Sequence, residues 1–300
     1  MVLYLRKEFE EAWRGKDPFA EVDKLQGKVY RLVKTRRTLQ FDLNGKSYFT
    51  KIHHGVGWAE IFKNLVQFKT TILGASNEFN AIRKLESLNV GTMNAAAFGK
   101  KGWNPAAQDS FIITDDIQNC PSLEDYCKTW RGDNRPNFIL KLSLLKKVAW
   151  ISRQLHTNGI NHRDFYICHF LLDPKSLEKE LIDDSCQLTV NSNPLSTINH
   201  QPSTRALNPK LFVIDLHRAQ IRRKTPHRWV IKDVSGLWFS AMDIGLTKKD
   251  VFRFIKIYSN DSLRHELNQN LAFWKEVNSK AIALYMKDFK REPDCVFSKA

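Results

Sequence analysis

Asn161-His162-Arg163-Asp164 closes a long helical pattern, and Phe170-Leu171-Leu172 opens a short apolar run six residues after the aspartate. An aspartate held in a tight loop between helix and strand is placed to take the proton of an attacking hydroxyl, a role worth about 10² to 10⁴ in rate. A His-Arg-Asp tripeptide by itself is more often a solvated turn. Three further residues give it a context. Lys51 lies on an alternating strand, where its ammonium can neutralise phosphate oxygens, and Glu78 on a following helix can pair with it. Asp215 ends the run Phe212-Val213-Ile214, so its carboxylate emerges at a strand end where Mg²⁺ bridging phosphates can be held. Separately these are an ordinary strand lysine, a helix-face glutamate and a turn aspartate. In this chain order, on these elements, they describe ATP- and Mg²⁺-dependent phosphoryl transfer to an alcohol, with Asp164 as base, Lys51 and Glu78 binding the nucleotide, and Asp215 holding metal.

The elements that must position these residues are legible in outline. Val29–Val33 and residues 38–43 read as strands, Asn44-Gly45 is a strong hairpin signal, and residues 48–52 continue as the next strand. Apolar residues Trp58, Ile61, Phe62, Leu65 and Val66 predict a helix over 58–70. A second helix, capped by Ser76 or Asn77, carries Glu78, Phe79, Ile82 and Leu85. Residues 111–113 suit a buried strand, residues 138–156 a long helix stopped by Asn158-Gly159, and residues 233–289 a helical remainder. This predicts an α+β, bilobal protein-kinase-like fold, with a strand-rich lobe over 1–118 that covers ATP and a helix-rich lobe over 119–300 that holds catalysis and acceptor. A polar insert occupies about 174–209. Within it, 25 residues from 185 to 209 hold one charge and 14 Ser, Thr, Asn or Pro, a composition for a surface loop rather than a core.

Composition narrows the class. With 47 Lys+Arg against 32 Asp+Glu, the net charge of +15 favours polyanionic partners, and 42% hydrophobic residues suit a folded chain of 300 residues. The five cysteines contain no C-x-x-C pair, which points to reduced thiols rather than a disulfide frame or zinc site. The apolar run Val2-Leu3-Tyr4-Leu5 is too short for a secretory signal, and no stretch of about 18 apolar residues exists. The expectation is a cytoplasmic protein that touches a membrane from its surface.

Three strings carry a closer resemblance: Lys51-Ile52-His53 with Gly55-Val56-Gly57-Trp58; residues 161–172, which read NHRDFYICHFLL; and residues 213–220, which read VIDLHRAQ. They resemble the lipopolysaccharide core heptose(I) kinases of Gram-negative bacteria, and the likeness runs from about residue 9 to 285, interrupted by the insert. The resemblance implies transfer of the ATP γ-phosphate to a hydroxyl of the inner-core heptose at the cytoplasmic face of the inner membrane. It assigns Asp164 as base, Lys51 as phosphate-binding lysine, Glu78 as its partner and Asp215 as metal ligand, with Asp233 at a helix start bracing the catalytic loop. Two departures from ordinary protein kinases stand out. No G-x-G-x-x-G is present, so cationic residues Lys28, Arg31, Lys34, Arg36 and Arg37 would cover the phosphates. His169 occupies the position of the usual metal-binding asparagine, where imidazole is the poorer Mg²⁺ ligand, and His217 that of a glycine.

Two basic runs without acids, residues 24–37 and 218–232, suit ATP and an anionic, lipid-linked core oligosaccharide respectively. Helix 58–70 is either core packing or a surface for acyl chains. An anionic membrane surface and an acidic partner such as acyl carrier protein both fit the charge. The alternatives are a Kdo or protein kinase of the same fold, and a non-catalytic polyanion binder. Nucleic acid is not expected, since no RNP-like string, KH-type loop or zinc-finger spacing is found.

Overall fold

The computed structural model describes residues 1–33, 35–58, 62, 74–130, 136–177 and 207–294. Nearly all of the expected helix over 58–70 and most of the insert over 185–209 lie outside the described residues. The chain forms two compact units. The first comprises Met1–Gln118, Asn158–Asp164 and Val213–Thr225; the second comprises Asn119–Thr157, Phe165–Phe212 and Pro226–Ala300. Residues 158–164 and 213–225, which the sequence pattern assigns to the helix-rich lobe, therefore cluster with the strand-rich one.

The first unit is built on a six-stranded antiparallel sheet with strands β1 (Val2–Leu5), β2 (Lys28–Val33), β3 (Arg36–Leu43), β4 (Lys46–His53), β5 (Ala95–Lys101) and β6 (Asp109–Asp115), in the order β1-β5-β6-β4-β3-β2. Asn44 and Gly45 make the β3–β4 turn, both at positive φ, as a two-residue hairpin demands. Side chains alternate along β4. Tyr48 and Ile52 point to a core with Phe9 and Trp13, around helix α1 (Lys7–Ala12), and with Phe19 and Val22 of α2 (Pro18–Lys24). Phe9 sits edge-on to Tyr48, with centroids 5.1 Å apart, and Phe19 to Phe111 at 5.2 Å. The intervening residues Phe49, Lys51 and His53 therefore face the opposite side of the sheet.

Helix α3 (Ser76–Ser87) buries Glu78, Ala81, Ile82 and Leu85, a stripe at helical spacing. The expected cap at Ser76 or Asn77 is displaced by one residue. Ala75 is the N-cap, with no side-chain cap, and its own N–H donates to Ser110 Oγ at 3.0 Å, so a cross-element bond fixes where the helix begins.

The two returning segments are stitched to this unit by backbone. Residues Ile160–Asn161 (β7) pair with Gln220–Ile221 (β10). The N–H of Val213 donates to Gly91 O at 2.8 Å, and Thr92 Oγ1 donates to Val213 O at 2.7 Å.

In the second unit, α4 (Leu123–Cys127) and α5 (Phe138–Thr157) precede the short strand β8 (Phe170–Leu172). Strand β9 (Leu211–Val213) pairs with β8 and carries the chain back to the first unit at Val213. Helices α6 (His227–Ala241), α7 (Lys248–Ser259) and α8 (Leu263–Phe289) follow, and Val234, Ile255, Trp274 and Val277 form a shared core. Helix α6 starts at His227, after Pro226, so Asp233 is an interior residue and not the helix start expected. No helix among the described residues is long and apolar enough to cross a membrane.

Gly159 is the tightest of these joints. Its φ is +78°, and a Cβ there would lie 1.8 Å from the carbonyl oxygen of Arg222, whose N–H bonds back to Gly159 O at 2.9 Å. Gly15 has a similar φ of +73° with nothing near its would-be Cβ. Gly15→Ala should cost about 1–2 kcal/mol for the left-handed backbone alone. Gly159→Ala should cost clearly more, and urea denaturation of both variants reads the difference; equal midpoints would mean the β7–β10 contact yields freely.

Candidate active site

Glu78 is 1% exposed, on the apolar stripe of α3, and a carboxylate so placed requires a cation. Lys51 Nζ supplies it, donating to Glu78 Oε1 at 2.7 Å. The same ammonium lies 3.6 Å from Asp215 Oδ1. Asp215 adopts a left-handed backbone, φ 59° and ψ 48°, as N-cap of the 3-10 turn Leu216–Arg218. A non-glycine residue held there is strained by about 1–3 kcal/mol. Its side chain hydrogen-bonds His217 Nδ1 at 2.5 Å. Glu78, Lys51, Asp215 and His217 thus form a continuous polar chain of alternating charge with an imidazole at its end.

Asp164 belongs to the same unit. The loop holding it is tied to the Asp215 segment through buried His162, whose Nε2 lies 2.9 Å from Ile214 O, and Arg163 also has a positive φ of 76°. Nη1 of Arg218 donates to both oxygens of Asp164, at 2.7 and 3.0 Å. Arg222 donates to Asn161 Oδ1 at 2.6 Å and to Gln220 Oε1. The basic run over 218–232 is therefore not a uniform surface for an anionic acceptor: Arg218 and Arg222 are bound within the unit, while Arg223 and Lys224 are exposed. The Arg218–Asp164 pair was not read from the sequence. Its only signal is an arginine three residues after Asp215, which a 3-10 turn swings back toward the Asp164 loop.

The remaining candidates lie in the second unit. His169 ends the 3-10 turn Ile167–His169, its backbone N–H donating to Tyr166 O at 3.0 Å. Asp233 is fully buried on α6, with Oδ2 3.5 Å from Nε2 of His156.

No group of three or more His, Cys, Asp or Glu among the described residues is arranged to hold a metal ion. Mg²⁺ at nucleotide sites needs no such cage. It takes one or two carboxylates and completes its shell with phosphate oxygens and water, so Asp215, one-third exposed beside Lys51, fits that donor set.

Comparison with known proteins shows the family. Residues 20–193 and 198–258 match the model of the lipopolysaccharide kinase (Kdo/WaaP) family. The chain is 46% identical to the lipopolysaccharide core heptose(I) kinase WaaP of Escherichia coli K12 over 281 residues, 93% of this chain and 96% of that one. It is 42% identical to the protein of the same name from Pseudomonas aeruginosa over 285 residues, 95% and 96% of the two chains. A solved structure of WaaP in complex with acyl carrier protein is 39% identical, with a TM-score of 0.75, over 95% of this chain and 100% of that one.

His53 makes the electrostatics of this face measurable. Burial, reinforced by Arg36, Lys51, His217 and His54, lowers its pKa to about 3. The unfolded chain protonates it near 6.5, so folding keeps its full stability above that pH and loses it as pH falls toward the folded value. Between pH 7 and pH 5 this one group should cost about 2 kcal/mol. His53→Gln should lose correspondingly less stability over the same interval, and urea titrations at the two pH values check it; identical losses would place the imidazole in a wetter setting.

Proposed function

Because the chain belongs to the lipopolysaccharide kinase (Kdo/WaaP) family, we propose that it transfers the γ-phosphate of ATP to a hydroxyl of heptose I in the lipopolysaccharide inner core. The observation that supports this reading is the assembly in one unit of the Lys51–Glu78 pair, Asp215 and Asp164. Lys51, fixed by Glu78, holds phosphate oxygens in place, which converts binding into orientation for attack. Asp164 accepts the proton of the sugar hydroxyl as the oxygen attacks phosphorus, and ADP leaves. Arg218 keeps the two carboxylate oxygens of Asp164 in a fixed plane until the acceptor arrives. Asp215 would hold Mg²⁺, which when bound neutralises charge on the phosphate oxygens.

The acceptor is lipid-linked and anionic, which places the reaction at the cytoplasmic face of the inner membrane, with exposed Arg223 and Lys224 meeting its charge. Acyl carrier protein is the proposed acidic partner, as in the WaaP complex. The second unit offers a cavity of about 400 Å³ lined by Leu144, Val148, Leu237, Phe254, Leu267 and Trp274, suited to an acyl chain.

Two measurements test this reading. With purified protein, ATP and lipid-linked core oligosaccharide, Asp164→Asn should lower turnover at least about 100-fold with ATP affinity nearly intact. Full turnover in that variant would remove Asp164 from the chemistry. The acceptor KM should rise as ionic strength goes from about 0.05 to 0.2 M, and neutralising Arg223 and Lys224 should flatten that rise. An unchanged slope would make them ordinary solvated residues.

A further inference from the structure

Arg36 opens β3 directly after the turn residue Thr35, and its backbone partner across the sheet is His53 of β4. The same register sets Thr38 opposite Lys51, so Arg36 and Lys51 are diagonal neighbours on one face, with Cα atoms roughly 7–8 Å apart. Among the described residues the side chain of Arg36 makes no hydrogen bond or ion pair, and its Nε is sealed from solvent. His53, 6% exposed, has a sealed Nε2 that is likewise unpartnered. Two unpartnered nitrogens thus lie on one face of the sheet, and the imidazole one is a donor in the Nε2–H tautomer.

A guanidinium carries five donors, and sealing even one of them from water without a partner is unfavourable. Native structures satisfy nearly all such groups, and the exceptions concentrate where a ligand completes the set. The charges around Arg36 are mixed: burial lowers its pKa, Glu78 and Asp215 oppose that, and Arg31 adds to it. Glu78 Oε2 is also sealed and unpartnered, yet no ion pair with Arg36 forms. The turn beside Arg36 contains no glycine, so its backbone cannot wrap a polyphosphate closely as a glycine-rich loop does.

We propose that Arg36, with His53 Nε2 beside it, binds the phosphate chain of the nucleotide held at Lys51, supplying from side chains the donors that a glycine-rich loop supplies from backbone. This rests on the reading of Lys51 as the phosphate-binding lysine. The planar fork of arginine matches two phosphate oxygens at once, which lysine does not.

Equilibrium binding of ATP and of adenosine to the full chain, with a thermal melt of the nucleotide-free protein, tests the proposal on Arg36→Met, Arg36→Lys and Lys51→Met. Arg36→Met should weaken ATP by about 10- to 100-fold while leaving adenosine within about threefold. Its nucleotide-free melting temperature should hold or rise, since a partly desolvated cation without a partner among the described residues has been removed. Arg36→Lys should fall between. If Arg36 instead serves as a structural partner of Glu78, ATP and adenosine affinity would fall together and the nucleotide-free melt would drop, which overturns the proposal. If Lys51→Met loses ATP while both Arg36 variants bind it as tightly as wild type, the phosphate role of Arg36 fails and the kinase reading stands. If Lys51→Met also binds ATP normally, the reading of Lys51 fails with it.

Discussion

A single desolvated contact, Lys51 Nζ to Glu78 Oε1, sets the terms for the rest of the first unit. Glu78 occupies a position that an apolar residue would fill if packing alone mattered, in line with Ala81, Ile82 and Leu85. Breaking such a pair by removing one partner typically costs about 3–5 kcal/mol, whereas a well-packed apolar pair of similar volume would be as stable or more so. The pair is therefore poor as a stabilising device and good as a positional one. It fixes the register of β4, since a slip by one residue would turn Lys51 into the aromatic core and Ile52 toward Glu78. Through the 3.6 Å approach to Asp215 it also fixes where the Val213–Thr225 segment begins.

From Asp215 the constraint passes along the backbone. The left-handed aspartate reverses the chain into the turn Leu216–Arg218, and that reversal returns Arg218 to Asp164. The Asp164 loop is held independently by His162 on Ile214 O, by the two-residue β7–β10 pairing and by the Gly159–Arg222 closure. Strain at Asp215 and Arg163 survives because hydrogen bonds on both sides over-determine the loop. Asp164 and Asp215 are thus positioned by one set of short contacts within the first unit.

The parts of this arrangement that repeat with a period were legible in the sequence. Lys51 could be placed on a strand face and Glu78 on a helix face because period 2 and period 3.6 show directly in residue order. The β3–β4 hairpin was announced by Asn44-Gly45. Strand β5 was not, because its Ala95-Ala96-Ala97 core has weak strand preference and is a strand through burial between β1 and β6. Helix α2 carried an unread signal, Asp17 capping Phe19 N just before Pro18. The start of α3 is set by Ser110 from another strand, and the Arg218–Asp164 pair joins residues 54 positions apart. Neither leaves a local pattern to read.

Charge shows the same limit most clearly. Arg36 and Arg37 are neighbours in one basic run, and composition gives them one meaning: two cations for an anion. The pleat separates them. Arg37 turns to the side of Leu39 and Phe41, where it donates to the carbonyls of Asp23 at 3.1 Å and Leu25 at 2.7 Å, closing the end of α2. There its charge does the work of a helix C-terminal cap. Arg36 turns to the side of Lys51 and finds no acceptor among the described residues. Elsewhere in the unit Arg6 is bound bidentately to Asp115, and Arg218 and Arg222 are held within the loops they stabilise. Arg6, Arg37, Arg218 and Arg222 are thus committed inside the fold, Arg37 and Arg222 to neutral acceptors, so the net charge of +15 does not tell which cations are offered to a polyanion. What remains available is set by strand parity and turn geometry, residue by residue, rather than by the density of basic residues along the chain.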